Sequence, residues 1–270
     1  MVNLSEHGFR FIRFLESILK KEDNDTLNYV QVEKINELVY ALSILKSKLV
    51  ILYYMPGSHR VVDFPKQNSD IQIIHIDEDV WISKPEILLS RINVLLGNAI
   101  KVFARQCVVA RIDKGEALRF QDENHLQIAM PGKYRYGLFL EGDLVAIAVF
   151  SGGRKMKHTE NYRSFEFIRF CSKQQHIIVG GLSKLLKAFI RDFSPNDIMT
   201  YVDSDWSDGK KFESTGFSKV SVLEPQTFWV NRETHQRISV KEYEGLLVPS
   251  DNKYYKVINL GSVKMIQSLF

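Results

Sequence analysis

A short glycine-containing segment in the second half of the chain has the residue types of an anion-binding turn. Gly180 and Gly181 lie between a strand-like run and an amphipathic helix, and glycine lets the backbone approach a ligand without an intervening Cβ atom. The first turn of a helix carries free N–H groups and the positive end of the helix dipole, which suit a pyrophosphate. Ser183 adds a hydroxyl and Lys184 a positive charge. An ordinary glycine turn would contain the same residues, and the Gly-x-x-x-x-Gly-Lys spacing of a P-loop is absent.

The strand predicted before this turn, residues 164–172, shows a slip in its alternation. Aromatic residues alternate up to Phe167, but the next large apolar residues are Ile168 and Phe170. One extra residue, as in a β-bulge, would produce this pattern. A bulge would separate the strand from the next parallel strand, predicted at residues 198–202, and leave main-chain groups for an extended ligand. The alternative is that both faces of the strand are buried.

The N-terminal third of the chain is predicted to form a small α/β unit. Apolar residues recur at helical spacing over residues 9–19 and 31–45, which predicts two helices. Buried-type strands are predicted at residues 48–54 and 71–76, and a third helix begins at Pro85.

A boundary is predicted near Gly97–Lys101, which divides the chain into domains of residues 1–97 and 98–270. The second domain contains a strand, a helix, a hairpin of Tyr134–Leu140 with Leu144–Phe150, and then strand–helix–strand–helix–strand. This order predicts an α+β domain with a mixed sheet and flanking helices.

The composition is that of an ordinary globular protein, with 270 residues, 45% of them hydrophobic and 25% charged. A net charge of +4 is only a weak indication of a polyanionic partner, because there is no long Lys/Arg run. Cys107 and Cys171 lie in apolar runs and are expected to be buried free thiols. With no apolar run of about 20 residues and no signal-like start, we expect a soluble cytoplasmic protein with no membrane partner.

The order of elements in residues 98–270, with a helix ending at Gly216-Phe217, resembles the GNAT superfamily of acyltransferases. The family turn reads [Arg/Gln]-x-x-Gly-x-[Gly/Ala]. With Gly181 on the first glycine, Ser183 takes the small position and Ile178 stands where Arg or Gln belongs. The resemblance implies that the turn binds the pyrophosphate of acetyl-CoA or another acyl-CoA, while the separated strands hold its pantetheine arm. The residues implied to bind this cosubstrate are Phe170, Cys171, Val179, Gly180, Gly181, Leu182, Ser183 and Lys184.

The resemblance also implies catalysis by direct attack of an amine on the thioester, which requires a general base and a proton donor. Glu166 is the carboxylate within the central strand and is the first candidate for the base, with Asp203 second. A structural ion pair of Glu166 with Arg169 or Arg154 is the alternative role. The family often has a tyrosine four residues before the glycine of Gly-Phe, but Phe212 stands there and cannot donate a proton. Tyr201 is the candidate replacement.

Four polar residues flank the acceptor side in this layout and are candidate substrate-binding residues: Asn124, His125, Gln127 and Arg154. A structural role for the histidine is the alternative. The acids Asp77-Glu78-Asp79 follow a predicted strand, and three adjacent acids cannot all face one ion. We therefore expect a solvated acidic turn and no metal site.

An alternative from another class is a catalytically inactive GNAT-like module that binds nucleic acid or a protein partner, which Phe212 and the missing Arg/Gln favour. A fainter resemblance links the chain to the C-terminal region of phage homing-endonuclease-like proteins. It is carried by the phrases Arg169-Phe-Cys, Val179-Gly-Gly-x-Ser-Lys and Tyr255–Lys264. Residues 1–97 would then be a remnant of a restriction-nuclease-type fold, but its strands lack the metal-binding pattern, and no cleavage is expected.

Overall fold

The computed structural model describes residues 4–20, 30–44, 47–65, 70–155, 162–246 and 252–269. They form an α+β fold with a mixed sheet, which confirms the predicted fold class. Unit 1 is a compact group of Met1–Leu88, Asp203–Ser207 and Glu224–Ser262, and unit 2 consists of Leu89–Val202, Asp208–Leu223 and Val263–Phe270. Unit 1 thus takes in segments that a division into residues 1–97 and 98–270 leaves in the second domain. No helix among the described residues has both the length and the apolar composition to cross a membrane.

Unit 1 contains a four-stranded sheet in the order β1-β2-β3-β4 and a three-stranded sheet in the order β15-β14-β16. In the first sheet, only the β3–β4 pair is parallel. The elements are α1 (Glu6–Lys20), β1 (Val30–Asn36), β2 (Val39–Ile44), β3 (Leu49–Tyr54), β4 (Gln72–Asp77), α2 (Glu78–Ser83), β14 (Thr227–Asn231), β15 (Arg237–Ser239), α7 (Val240–Glu244) and β16 (Tyr254–Ile258).

The helix predicted over residues 31–45 is wrong, because the described part of this segment is the β1–β2 hairpin. Five of the six residues of β2 are buried, since the strand lies between β1 and β3. Such a continuous apolar run also satisfies helical spacing, so periodicity alone does not separate the two structures. The Asn36 side chain accepts a hydrogen bond from the Leu38 N–H at 2.9 Å and so stabilises the tight turn.

Unit 2 contains an eight-stranded sheet in the order β13-β17-β12-β10-β8-β7-β6, in which β9 also pairs with β10. A separate pair of parallel strands joins β5 to β11. The helix α3 (Pro85–Leu95) precedes these elements and crosses the unit boundary in sequence. The elements are β5 (Ile100–Phe103), a 3₁₀ turn (Ala104–Gln106), β6 (Val108–Arg111), α4 (Lys114–Asn124), β7 (Tyr134–Leu140), β8 (Asp143–Phe150), β9 (Arg154–Lys155), β10 (Arg163–Ser172), β11 (His176–Val179), α5 (Gly181–Phe193), β12 (Asp197–Asp203), α6 (Lys210–Glu213), β13 (Ser218–Leu223) and β17 (Ser262–Ser268).

The main sheet of unit 2 is covered by α5 on one face and by α4 on the other. On the α5 face, the rings of Phe150 and Phe189 stack with centroids 3.8 Å apart, and Phe165 meets Phe189 edge-on at 5.1 Å. On the α4 face, Phe120 packs in the cluster that contains Cys171. Both cysteines are buried and free, which confirms that expectation. These two apolar layers fix the position of α5 against the central strands.

We predict that Phe189→Ala lowers the free energy of unfolding by about 3–5 kcal/mol, because it removes a fully buried ring and leaves a cavity. Urea denaturation followed by circular dichroism would measure the loss. Val222→Ala, at a residue that is 74% exposed, is the control and should change stability little. A loss below about 1 kcal/mol for Phe189→Ala would contradict this account of the core.

Candidate functional site

The central strand β10 contains the bulge that its sequence predicts. Its pairing with β8 shifts register between Phe167 and Arg169. Before the shift, Phe167 packs in the cluster on the α5 face, and after it Phe170 packs against the same cluster. Ile168 and Cys171 pack on the α4 face. Residues 167 and 170 would face opposite sides of a regular strand, so one extra residue accounts for the phase slip.

The parallel strands β10 and β12 separate next to this bulge. Their ladder contains three residue pairs and ends at Glu166 with Met199. At its start, the buried Asp197 carboxylate accepts hydrogen bonds from Ser164 Oγ and Tyr162 Oη, both at 2.6 Å. At the separation, Thr200 Oγ1 donates to the Phe167 carbonyl at 2.8 Å. Among the described residues of both strands, no further ladder pair follows, so the main-chain pairing is closed at one end and open at the other, an arrangement that we call the V.

A second strand pair places a pocket at the glycine turn. In the parallel pairing of β5 with β11, Phe103 lies opposite Val179, so both strands end at the same level. The 3₁₀ turn after Phe103 therefore lies beside Gly180, whose positive φ of 77° caps the start of α5. Between them lies a pocket of about 400 Å³. Its lining is Phe103, Ala104, Arg105, Val179, Gly180, Ser183, Lys184 and Lys187.

Lys184 holds the two walls of this pocket together. Its Nζ donates to the Ala104 carbonyl at 2.8 Å and to the Cys107 carbonyl at 2.5 Å. The predicted role of Lys184 as a phosphate-binding cation therefore remains a prediction, and its observed role is to fasten the 3₁₀ turn to α5. Two exposed cations, Arg105 and Lys187, line the same pocket. The Arg105 guanidinium lies 5.0 Å from the Phe103 ring centroid, a cation–π contact that aligns it along the wall.

The other residues predicted to bind the cosubstrate differ in accessibility. Ser183 and Leu182 are half-buried in the first turn of α5, and Val179 is 44% exposed at the pocket. Gly181 is buried, and an added Cβ atom would lie 2.8 Å from Ile178 Cγ2. The Cys171 thiol faces the α4 cluster, so only its main chain could face a ligand along β10.

The candidate base and acid lie on the same face of the V. Since Glu166 pairs with Met199 and side chains alternate along a strand, Glu166 and Tyr201 both lie on the face opposite α5. Glu166 is half-buried and pairs with the exposed Arg154 at 3.2 Å, whereas Tyr201 is 40% exposed. Asp203 ends β12, and its Oδ1 accepts the Asp205 N–H at 3.0 Å.

Phe212 lies in an apolar environment that suits its side chain. Its ring centroid lies 6.2 Å from that of Phe167 and 5.5 Å from that of Phe217. This position offers no proton donor, so Tyr201 remains the candidate acid on these strands.

The candidate acceptor residues are partly occupied by structural contacts. Asn124 caps the end of α4 and accepts the Gln174 N–H at 2.8 Å. His125 and Gln127 both bond the guanidinium of Arg169, with Arg169 Nη1 lying 3.0 Å from His125 Nδ1. Arg154 is the ion partner of Glu166.

Sequence reasoning missed Arg105 and Lys187, and it considered Arg169 only as an ion partner of Glu166, whereas its guanidinium bonds His125, Gln127 and Ile128. Lys187 follows Ser183 by four residues, a helical spacing that places both on one face and could have revealed it. Arg105 reaches the turn only through the β5–β11 pairing, for which the sequence offers no local signal. Arg169 comes directly after the bulge. Its position therefore depends on the register between β10 and β8, which the alternation of apolar residues does not determine.

The acidic turn Asp77-Glu78-Asp79 is buried in unit 1, and the expectation of a solvated turn was wrong. Two guanidiniums compensate its charge. Arg60 bonds Asp77 and Asp205 at 2.8 Å, and Arg237 bonds Asp77 and Asp79 at 2.6 Å. Burial opposes ionisation, but Arg237 and Arg60 hold the pKa of Asp77 below its ordinary value. Within the described ranges, no cluster of three or more His, Cys, Asp or Glu residues could hold a metal.

Comparisons with known proteins give matches among solved structures only. No family model and no curated protein matches the chain. Naa50 of Arabidopsis thaliana, in complex with a bisubstrate analogue, matches 61% of this chain and 99% of its own with 9% identity and a TM-score of 0.39. A histone acetyltransferase HPA2-related protein of Corynebacterium glutamicum matches 61% and 98% with 10% identity and a TM-score of 0.38. Ard1 of Thermoplasma volcanium matches 61% of this chain and 99% of its own with 11% identity and a TM-score of 0.37. At this level of similarity, the matches establish no family and no activity.

Two buried groups of unit 1 titrate in opposite senses. Burial raises the pKa of Asp205 to about 6 from 3.8, so its contribution to stability is present below pH 4 and is lost as the pH rises through 6. Burial lowers the pKa of His75 to about 4 from 6.5, so its contribution is present above pH 6.5 and is lost as the pH falls through 4. In the native protein the two contributions oppose each other between pH 4 and 6.5.

We predict that in Asp205→Asn the gain in stability that His75 gives as the pH rises is no longer offset by a loss at residue 205. Between pH 4.5 and 7, the stability of the variant should rise by about 2 kcal/mol more than that of the native protein. All three tryptophans, Trp81, Trp206 and Trp229, belong to unit 1, so urea denaturation followed by tryptophan fluorescence would measure it. Asp63→Asn, at an exposed carboxylate of unit 1, is the control. Equal pH dependence in all three proteins would contradict the prediction.

Proposed function

We propose that unit 2 binds an acyl-CoA thioester and transfers its acetyl or other acyl group to an amine. The observation that supports this most strongly is the V between β10 and β12. Their ladder ends after three pairs, directly beside a bulge, and the helix that follows β10 and β11 begins at a glycine turn in a cationic pocket. An extended thioester arm requires a main-chain edge, and its pyrophosphate requires donors and positive charge.

The pyrophosphate would bind at the pocket beside Gly180. The first N–H groups of α5 have no partner within the helix, and the Ser183 hydroxyl lies in the same turn. Arg105 and Lys187 supply two positive charges from opposite walls. These cations take the role that an arginine or glutamine at Ile178 has in the family turn, since Ile178 is buried and apolar.

The pantetheine arm would then lie along the β10 edge beyond Glu166. Main-chain N–H groups at the bulge would face the thioester oxygen and stabilise the oxyanion that forms on it. In the reaction, the amine nitrogen forms a bond to the thioester carbon, the C–S bond breaks, and Glu166 takes a proton from the nitrogen. Tyr201 would protonate the leaving thiolate. Because Arg154 is exposed, its ion pair with Glu166 is weak enough to open when substrate binds.

A second candidate function is an inactive module that binds nucleic acid or a protein partner. The observation that favours it is the apolar environment of Phe212, which removes the proton donor often found at that position in the family. The same pocket would then bind phosphate groups without catalysis. Salt-sensitive DNA binding combined with no response to acetyl-CoA at millimolar concentration would support this candidate.

We predict that acetyl-CoA raises the melting temperature and that Arg105→Glu with Lys187→Glu reduces this shift by about half or more. A ligand at 100 times its Kd stabilises the native state by about 2.7 kcal/mol, and reversing two charges should weaken binding by at least tenfold, or about 1.4 kcal/mol. Both residues are exposed, so folding should be unaffected, unlike at the crowded Gly181. The matched control is Arg191→Glu, one helical turn beyond Lys187, which should keep the shift. An unchanged shift in the double variant would place the site elsewhere.

We predict that Glu166→Gln lowers acyl transfer about 10²–10⁴-fold, because it removes the general base, while acetyl-CoA binding is retained. Transfer to a panel of amines, measured by mass spectrometry, with calorimetry for binding, would separate the two effects. Arg154→Ala should keep or increase the rate, since it frees the carboxylate. Full activity of Glu166→Gln would exclude this residue as the base.

A further inference from the structure

The loop between α4 and β7, residues 125–133, has no regular secondary structure but is fastened at several points. Near its start, Arg169 Nη2 donates to the Ile128 carbonyl at 3.1 Å, and its Nη1 bonds both His125 and Gln127. In the middle, the fully buried Gln121 bonds both the N–H and the carbonyl of Met130 at 3.0 Å. Arg169 thus ties this loop directly to the strand that carries the bulge.

The far end of the loop lies against the bulge itself. Gly132 has a φ of +50°, and a Cβ atom there would lie 2.3 Å from Val149 Cγ1 and 3.5 Å from Ile168 Cδ1. The Lys133 N–H then donates to the Phe150 carbonyl at 2.7 Å. Ser151, the residue after Phe150, exchanges two hydrogen bonds with the main chain of Glu166. The Ser151 N–H donates to the Glu166 carbonyl, and the Glu166 N–H donates to Ser151 Oγ, both at 2.9 Å. The loop therefore packs against the bulge, and its last hydrogen bond joins it to the residue before Ser151, the main-chain partner of Glu166.

This fastened loop presents two large apolar side chains to solvent, next to the exposed Gln127, Pro131 and Lys133. Ile128 is 73% exposed and Met130 is 43% exposed, although the main chain of each is held by a buried or half-buried partner. By contrast, His125 and Gln127, the sequence-based candidates for reading the acceptor, have their polar atoms directed to Arg169. An ordered loop with exposed apolar side chains beside a reaction centre is suited to contact an apolar group of a substrate.

We propose that Arg169 is a positioning residue that holds loop 125–133 over the bulge as the acceptor-binding loop, where Ile128 and Met130 select an amine bearing an apolar group. This inference rests on the proposed acyl transfer. A guanidinium is suited to this role because its planar set of donors reaches a side chain and a carbonyl at once, whereas lysine has one ammonium group. The Arg169 side chain bonds the loop, so its proposed effect on the reaction is indirect.

The loop contacts can be tested without any activity. Hydrogen exchange at the amides of residues 127–130 should be at least about tenfold faster in Arg169→Gln than in the native protein, since charge-assisted bonds to the loop are lost. Arg169→Lys should fall between the two. The amides of β8 serve as an internal control, and their unchanged exchange would show that the variant is folded. Equal exchange of the loop in all three proteins would overturn the positioning role.

The acceptor role is tested by kinetics with two amines that differ in one group, phenethylamine and ethanolamine. In Arg169→Gln and in Ile128→Ser with Met130→Ser, KM for phenethylamine should rise at least about fivefold, while KM for acetyl-CoA stays within twofold. Val222→Ser, at another exposed apolar position, is the control. Equal KM changes for both amines, or none, would overturn the selection of an apolar group. If calorimetry shows no binding of acetyl-CoA, the proposed function itself fails, whatever the exchange data show.

Discussion

The structure of unit 2 depends on one interruption in a hydrogen-bonded ladder. A fully paired β10 and β12 would leave no main-chain edge inside the sheet. The extra residue at Ile168 reverses the alternation of side chains along β10. The pairing with β12 ends at Glu166, two residues before Ile168. Asp197 fastens the closed end of the V through two side-chain donors. The opening is therefore a built feature, held between a satisfied buried carboxylate and a bulge.

The aromatic layer on the α5 face fixes the position of α5 relative to the interrupted strands. Phe189 of α5 stacks on Phe150 and meets Phe165 edge-on, so the helix cannot shift along the sheet without losing these contacts. Its N-terminus is fixed by the Lys184 ammonium group, which binds the carbonyls of the neighbouring turn. The glycine turn, the cationic pocket and the V are thus parts of one rigidly packed arrangement within unit 2.

The sequence predicted what depends on local pattern and missed what depends on distant pairing. Alternation alone revealed the bulge, and helical spacing with Gly180 predicted α5. The same logic failed over residues 31–45, where a strand buried on both sides has the apolar density of a helix. The burial of Asp77 could not be predicted, because its partners Arg60 and Arg237 lie far away in the chain. The anion-binding role of Lys184 stays a prediction, and the two carbonyls that its ammonium group binds could not be foreseen, because β5 brings them there.

The central claim is that a thioester lies in the V with its pyrophosphate at the glycine turn. An NMR titration with acetyl-CoA, followed amide by amide, tests it most directly. The account predicts that the largest chemical-shift changes fall in two separate segments, residues 167–172 of β10 and residues 180–184 at the start of α5. Changes confined to other segments, or none at millimolar acetyl-CoA, would contradict it.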